Sequence, residues 1–226
     1  MLTFSVATRA DAAVVVLDFV RVVARDFARA MQLGFFGPGV AAVPVVVQLA
    51  SPTLVLVHMH TDAIHPAVLR ILRGMCEWGR LARDLPLRWL GPAGQQAGAT
   101  AIGEAASALA AKPQQAFMLQ RPDFVGFGEQ LVVVLNLDAP PDEQQSDLLD
   151  AGFECWIALM QGGLPPEPYL PGESTVGATQ TMRIGSTTCQ WFLEGVIAHE
   201  ACLDLLTHFL VAHADALRIR DVEIEV

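Results

Sequence analysis

Cationic residues are scarce in this chain. Lys112 is its one lysine, thirteen arginines stand singly, and 14 basic residues face 24 acidic ones for a net charge of −10. A nucleic-acid surface needs clustered Lys and Arg to neutralise phosphates, so that class is excluded. Cysteine is sparse as well: Cys76, Cys155, Cys189 and Cys202 lie far apart, without CxxC or a framework spacing. This excludes a disulfide scaffold and a cysteine-rich zinc site. Nucleophile elbows of the GxSxG kind are missing, and so are the phosphate loops GxGxxG and GxxxxGK[ST]. Long unbroken apolar runs are missing too. The charge-free stretch from Ala30 to Thr61 is cut by Gly34, Gly37, Pro38, Gly39, Pro44 and Pro52. Its pieces are too short to span a bilayer, which takes about 20 continuous apolar residues. Met1 to Arg29 carries Arg9, Asp11, Asp18, Arg21, Arg25 and Asp26, unlike the apolar core of a secretory signal. The expected compartment is therefore cytoplasmic, where thiols stay reduced.

What is present is a hydrophobic chain of 226 residues, 53% apolar and only 17% charged, enough to bury a sizeable core. Its most informative feature is an internal repeat. At an offset of 129, Leu2-Phe4-Val6 falls on Leu131-Val133-Leu135, and Met31-Gln32-x-Gly34 falls on Met160-Gln161-x-Gly163. At an offset of 134, His65, Ala67, Leu69, Leu72 and Ala82 meet His199, Ala201, Leu203, Leu206 and Ala216. The change of offset places a short insertion in the proline-rich stretch Leu164–Gly172.

The order of elements agrees with a repeat. Leu2–Thr8 alternates as a strand, and Thr8 with Asp11 has the form of a capping box opening a helix. Val16, Phe19, Val23, Phe27 and Ala30 give that helix an apolar face opposite Asp18, Arg21, Arg25 and Arg29. Pro44–Leu49 and Thr53–His60 read as two strands around Ser51-Pro52, Pro66 opens a second helix, and Leu87–Leu90 closes the set. Strand, helix, strand, strand, helix, strand is the order of the ferredoxin-like βαββαβ unit. The second copy repeats it with strands at Gln130–Asp138, Thr179–Ser186, Thr188–Val196 and Arg218–Val226. The expectation is an α+β chain: a first ferredoxin-like repeat over 1–91, a Gly/Ala-rich connector over 92–128 that is either a weak helix at Gln95–Ala111 or a loose linker, and a second repeat over 129–226. In the strand at Thr53–His60 both faces are apolar. This predicts that the open faces of the two sheets pack together or that the sheets join across a pseudo-two-fold, leaving a cleft between halves.

One cluster has metal-ligand character: His58-x-His60-x-Asp62-x-x-His65. Residues two apart on a strand face the same way, so His58 and His60 can reach one divalent ion, with Asp62 following in a loop. The repeat offset lays Glu194 over His60, so a His60–Glu194 pair is the candidate for acid–base work in the cleft. No resident cofactor is otherwise expected. Asp204 and His208 read as a solvated i,i+4 pair on the outer face of the last helix, and Gly34–Gly39 as an exposed-to-half-buried turn or a partner-contact loop.

By elimination the leading expectation is a non-catalytic binding protein on a duplicated scaffold. Its acidic surface would recognise a protein partner, in the manner of an immunity protein meeting a basic toxin. The alternatives are a metal-assisted or His/carboxylate enzyme with its site in the cleft, and a small-ligand sensor using the same cleft. The expected partners are thus a protein or a small molecule, with a second copy of the chain as a further candidate, and neither nucleic acid nor membrane. Asp221, Glu223 and Glu225 alternate along the last strand and would discourage its open pairing with another chain.

Overall fold

The computed structural model describes residues 1–37, 40–61, 66–92, 117–121, 130–161, 179–194 and 200–225. The chain is α+β with two sheets. Its first half runs β1 (Leu2–Thr8), α1 (Ala13–Gln32), β2 (Val45–Ser51), β3 (Leu54–Met59), α2 (Pro66–Ala82) and β4 (Leu87–Pro92). After β5 (Met118–Gln120) the second half runs β6 (Gln130–Leu137), α3 (Glu143–Gln161), β7 (Thr179–Arg183), β8 (Thr188–Glu194), α4 (Glu200–Ala212), the short α5 (Ala214–Leu217) and β9 (Ile219–Glu225). The first sheet has the order β2-β3-β1-β4 and the second β5-β9-β6-β8-β7. All neighbours are antiparallel except β5, which adds to β9 in parallel. The segment 95–111, expected as a weak helix or a loose linker, lies outside the described residues, as do Asp62, His65 and His199.

Each half uses its first strand as the centre, flanked by its third and fourth, with the second outside the third. The registers correspond in two of the three ladders, the exception being the fourth strand, where Val6 pairs with Trp89 but Leu135 with Val222. Leu2 pairs with Met59 and Leu131 with Leu193, while Val45 pairs with Met59 and Thr179 with Leu193. The offsets of 129 and 134 read from the sequence therefore carry the β1–β3 and β2–β3 ladders onto β6–β8 and β7–β8.

The halves meet differently from the sequence-based expectation. Their contact is helical, α1 lying against α3 and α2 against α3, so the sheets form the outer layers. The reason is the width of the apolar face on α1. Besides Val16, Phe19, Val23, Phe27 and Ala30, it buries Leu17, Val20, Ala24 and Met31, which is more than one sheet can cover. Helix α3 is similarly broad, burying Leu149, Phe153, Cys155, Trp156, Leu159 and Met160. A single continuous core runs through both halves. Correspondingly, β3 buries Val55, Val57 and Met59 on its helix side, while Leu54, Leu56 and His58 on the outer side are half-buried.

Two close approaches tighten the helix pairs. Gly79 on α2 lies beneath the Phe19 ring of α1, and Gly152 on α3 beneath the Phe209 ring of α4, with no room for a methyl group in either place. The helix starts also differ from expectation. Asp11 accepts hydrogen bonds from Arg9 (2.9 and 3.1 Å) instead of closing a capping box, and a single 3-10 turn at Ala10–Ala12 precedes α1. The reciprocal box forms on α3. There the Gln145 N–H donates to Asp142 Oδ1 (2.8 Å) and the Asp142 N–H to Gln145 Oε1 (2.9 Å).

Candidate functional site

Both sheets turn one face outward, and the singled-out residues sit on or beside these faces. On the first sheet the outer side of β3 presents His58, whose Nδ1 lies 3.0 Å from Thr3 Oγ1 on β1, its partner in the ladder. His60 follows just past the strand end, exposed, and its N–H donates to the Pro44 carbonyl (3.2 Å). Glu194 ends β8, exposed, opposite Gln130. His60 and Glu194 thus belong to opposite outer layers, and the helix-to-helix packing does not bring them together. Among the described residues no three His, Cys, Asp or Glu side chains gather as a metal-binding group.

The second sheet carries the stronger chemical pattern. The ladder sets Asn136 opposite Thr188 and Asp221, Val134 opposite Gln190 and Glu223, and Val132 opposite Phe192 and Glu225. Side chains of paired residues share a face, so the outer surface has a half-buried apolar centre at Val132, Val134 and Phe192. Met182 extends it on β7. Acids border this centre along β9. One end is locked by a polar chain: Thr188 Oγ1 donates to Asn136 Oδ1 (2.9 Å), Asn136 Nδ2 to Asp221 Oδ1 (2.6 Å) and Arg220 Nε to Asp221 Oδ2 (2.8 Å). The Arg220 bond, and after it the Asn136 bond, hold the Asp221 carboxyl below its ordinary range, so it stays ionised. Glu223 and Glu225 are exposed.

No family model, no curated protein and no solved structure matches the chain. Its chemistry therefore has to be read from the residues themselves.

Cys155 and Cys189 are poor nucleophiles. Burial pushes Cys155 up to about 12 and Cys189 up to about 11, far from a reactive thiolate. Asp204 and His208 do not form the solvated pair expected of them. Asp204 binds Arg121 (2.7 Å), whereas His208 is only 4% exposed, faces Gly37 and leaves its Nδ1 without a partner among the described residues. The cause is the loop after α1. Phe35 and Phe36, expected in an exposed-to-half-buried turn or a partner-contact loop, are fully buried, Phe35 stacking on Phe209 at 4.9 Å. The same loop accepts a hydrogen bond at the Leu33 carbonyl from His213 Nε2 (3.1 Å). It therefore inserts from the first half onto α4 of the second. Burial pulls the His208 pKa down, and Asp204 only partly opposes this. No helix among the described residues is long and apolar enough to cross a membrane.

Proposed function

We propose that this chain is a non-catalytic binding protein built by tandem duplication of a ferredoxin-like unit, with the outer face of its second sheet as the working surface. The duplication rests on the shared strand order of the halves, the shared register of their first three strands, and one further contact. Asp26 and Cys155 are equivalent at the offset of 129, and Cys155 Sγ lies 3.9 Å from the Asp26 carbonyl. Equivalent points on α1 and α3 touch, as they do beside a two-fold axis.

The observation that carries the binding reading is the apolar centre of Val132, Val134, Phe192 and Met182 bordered by Asp221, Glu223 and Glu225. An apolar middle with a charged border suits a protein partner, and the sign of the border selects a basic one. An immunity-like role toward a basic toxin fits this chemistry. The test is capture from the native host with mass-spectrometric identification, in parallel with a Glu223→Arg/Glu225→Arg variant. A lysine- or arginine-rich protein held by the parent, released by salt and lost from the variant supports the reading. A partner retained equally by the variant sinks it.

A second reading, a divalent-metal site used for acid–base chemistry, is favoured by the placement of His58 on the outer side of β3 with His60 two residues on. The proposed ligands are His58, His60 and Asp62, and Glu194 belongs to this reading only as a carboxylate reached in an assembly. Elemental analysis of tag-free protein beside a His58→Ala/His60→Ala variant decides it. Near-stoichiometric metal that vanishes in the variant supports it. A parent that neither holds nor is thermally stabilised by zinc, manganese or nickel ends it.

A further inference from the structure

Sheet edges are templates for pairing with another chain, and proteins blunt them with charge, proline, shortness or cover. Among the described residues, three of the four edge strands are blunted. β4 carries Arg88 and Pro92, β7 is five residues long and carries Arg183, and β5 is three residues long. The acidic strand β9 is paired with β5 over residues 221–223 and carries Arg220 and Glu225 on either side of that stretch. β2 is the exception. Its seven residues, Val-Val-Val-Gln-Leu-Ala-Ser, hold no charge and no proline, and Val46 and Leu49 are 48% and 40% exposed. Its one irregularity, the shift between Leu49 and Ser51, lies at the turn and leaves Val45–Leu49 regular.

The direction of the free backbone groups follows from a single bond. The His60 N–H donates to the Pro44 carbonyl, so residue 44 points its backbone toward β3. In an antiparallel ladder this alternates. Val46 and Gln48 therefore also bond inward, and Val45, Val47 and Leu49 present N–H and C=O groups to the open edge. These three are symmetric about Val47. A second copy related by a two-fold axis at Val47 sets Val47 opposite Val47, and Val45 opposite Leu49, twice. Every free N–H then meets a free C=O, giving six hydrogen bonds.

Electrostatics point to the same occupant. Each copy carries a net charge of −10, so two copies repel over most of their surfaces. The run Ala30–Thr61, which includes β2 and β3, contains no Asp, Glu, Lys or Arg. We infer that β2 is a self-association edge, across which two copies pair antiparallel about Val47 to join their first sheets into one of eight strands. This leaves the acidic face of each second sheet free and is independent of what that face binds.

The test is sedimentation equilibrium of the full chain from low to high micromolar concentration, with circular dichroism to confirm folding. The parent is expected to reach twice its 24.3 kDa mass. Val47→Pro removes an N–H that faces water in the monomer, a change edge strands tolerate, and abolishes the dimer. The second variant reads the register. In the proposed pair Val46 faces Gln48 of the other copy, so Val46→Glu/Gln48→Glu sets two like-charged pairs face to face and weakens dimerisation roughly tenfold or more. Val46→Lys/Gln48→Glu turns the same pairs attractive and restores it. If Val47→Pro fails to fold, the two charge variants decide. A parent monomeric at every concentration overturns the inference, and so does a dimer indifferent to the charge variants.

Discussion

Replacing Gly152 by alanine in the middle of α3 tests the packing between the helices of the second half. In an exposed helix this substitution stabilises by about 1 kcal/mol, because alanine loses less backbone freedom on folding. Here the added Cβ would meet Phe209 Cζ head-on and stand 2.6 Å from Cε1, where ordinary contact begins at 3.4 Å. The ring has no retreat: it is fully buried and stacked on Phe35, itself fully buried, with the rings 4.9 Å apart. Overpacking of this kind costs about 1–3 kcal/mol and occasionally more. Since the overlap is with a trapped ring, the upper end applies, and the net expectation is a loss of about 2 kcal/mol. For a chain of this size that lowers the melting temperature by roughly 4–8 °C. Urea denaturation and thermal melts of Gly152→Ala measure it. Gly185→Ala serves as the control, since a Cβ there meets nothing within 4 Å. Shrinking the obstacle in Gly152→Ala/Phe209→Leu recovers part of the loss, because the two sites are coupled. A Gly152→Ala protein as stable as the parent, or more so, would refute the close approach.

Acidification should weaken the fold through His208. Its folded pKa lies below the ordinary 6.5, so as pH falls through 6.5 the unfolded chain takes up a proton that the folded one refuses. The denaturation midpoint therefore drops between pH 7 and pH 5, and His208→Leu removes His208's share of that drop. Alkylation by iodoacetamide at pH 8, mapped by mass spectrometry, leaves Cys155 and Cys189 unmodified in the native protein and labels both in urea, as expected of buried, protonated thiols. Glu154→Ala breaks an ion pair with Arg29 whose side chains are 68% and 41% exposed, and shifts stability by no more than about 0.5 kcal/mol in equilibrium denaturation.

The strands were legible because they are written in local periodicity. Leu2–Thr8 is a strand at the predicted bounds, and the ladders among the first three strands of each half obey the offsets found by sliding the sequence. The mutual arrangement of the halves was less legible, although its signal was there. Leu17, Val20, Ala24 and Met31 form a second apolar stripe on α1, and two stripes on one helix imply two covering layers. Burial of Phe35 and His208 was not readable locally, because it depends on a loop of one half reaching a helix 170 residues away, and glycines at 34 and 37 resemble an ordinary turn. The three-residue strand β5 was missed because so short a segment has no periodicity of its own; its partner β9 supplies the reason it is a strand. Among candidate site residues, His58 and His60 were placed on the right strand end, but the His60–Glu194 pairing assumed a sheet-to-sheet interface that the helices occupy instead.

A chain that holds two similar folding units risks assembling the helices of one onto the sheet of the other. The glycine–phenylalanine contacts bear on this. In the first half the ring is on the earlier helix and the glycine on the later one; in the second half the roles are exchanged. At the offsets of 129 and 134, pairing α1 with α4 would set Phe19 against His213 and Phe209 against Val23, so that neither ring would meet a glycine. Each ring thus finds its glycine only within its own half, which disfavours an exchange of helices between the halves.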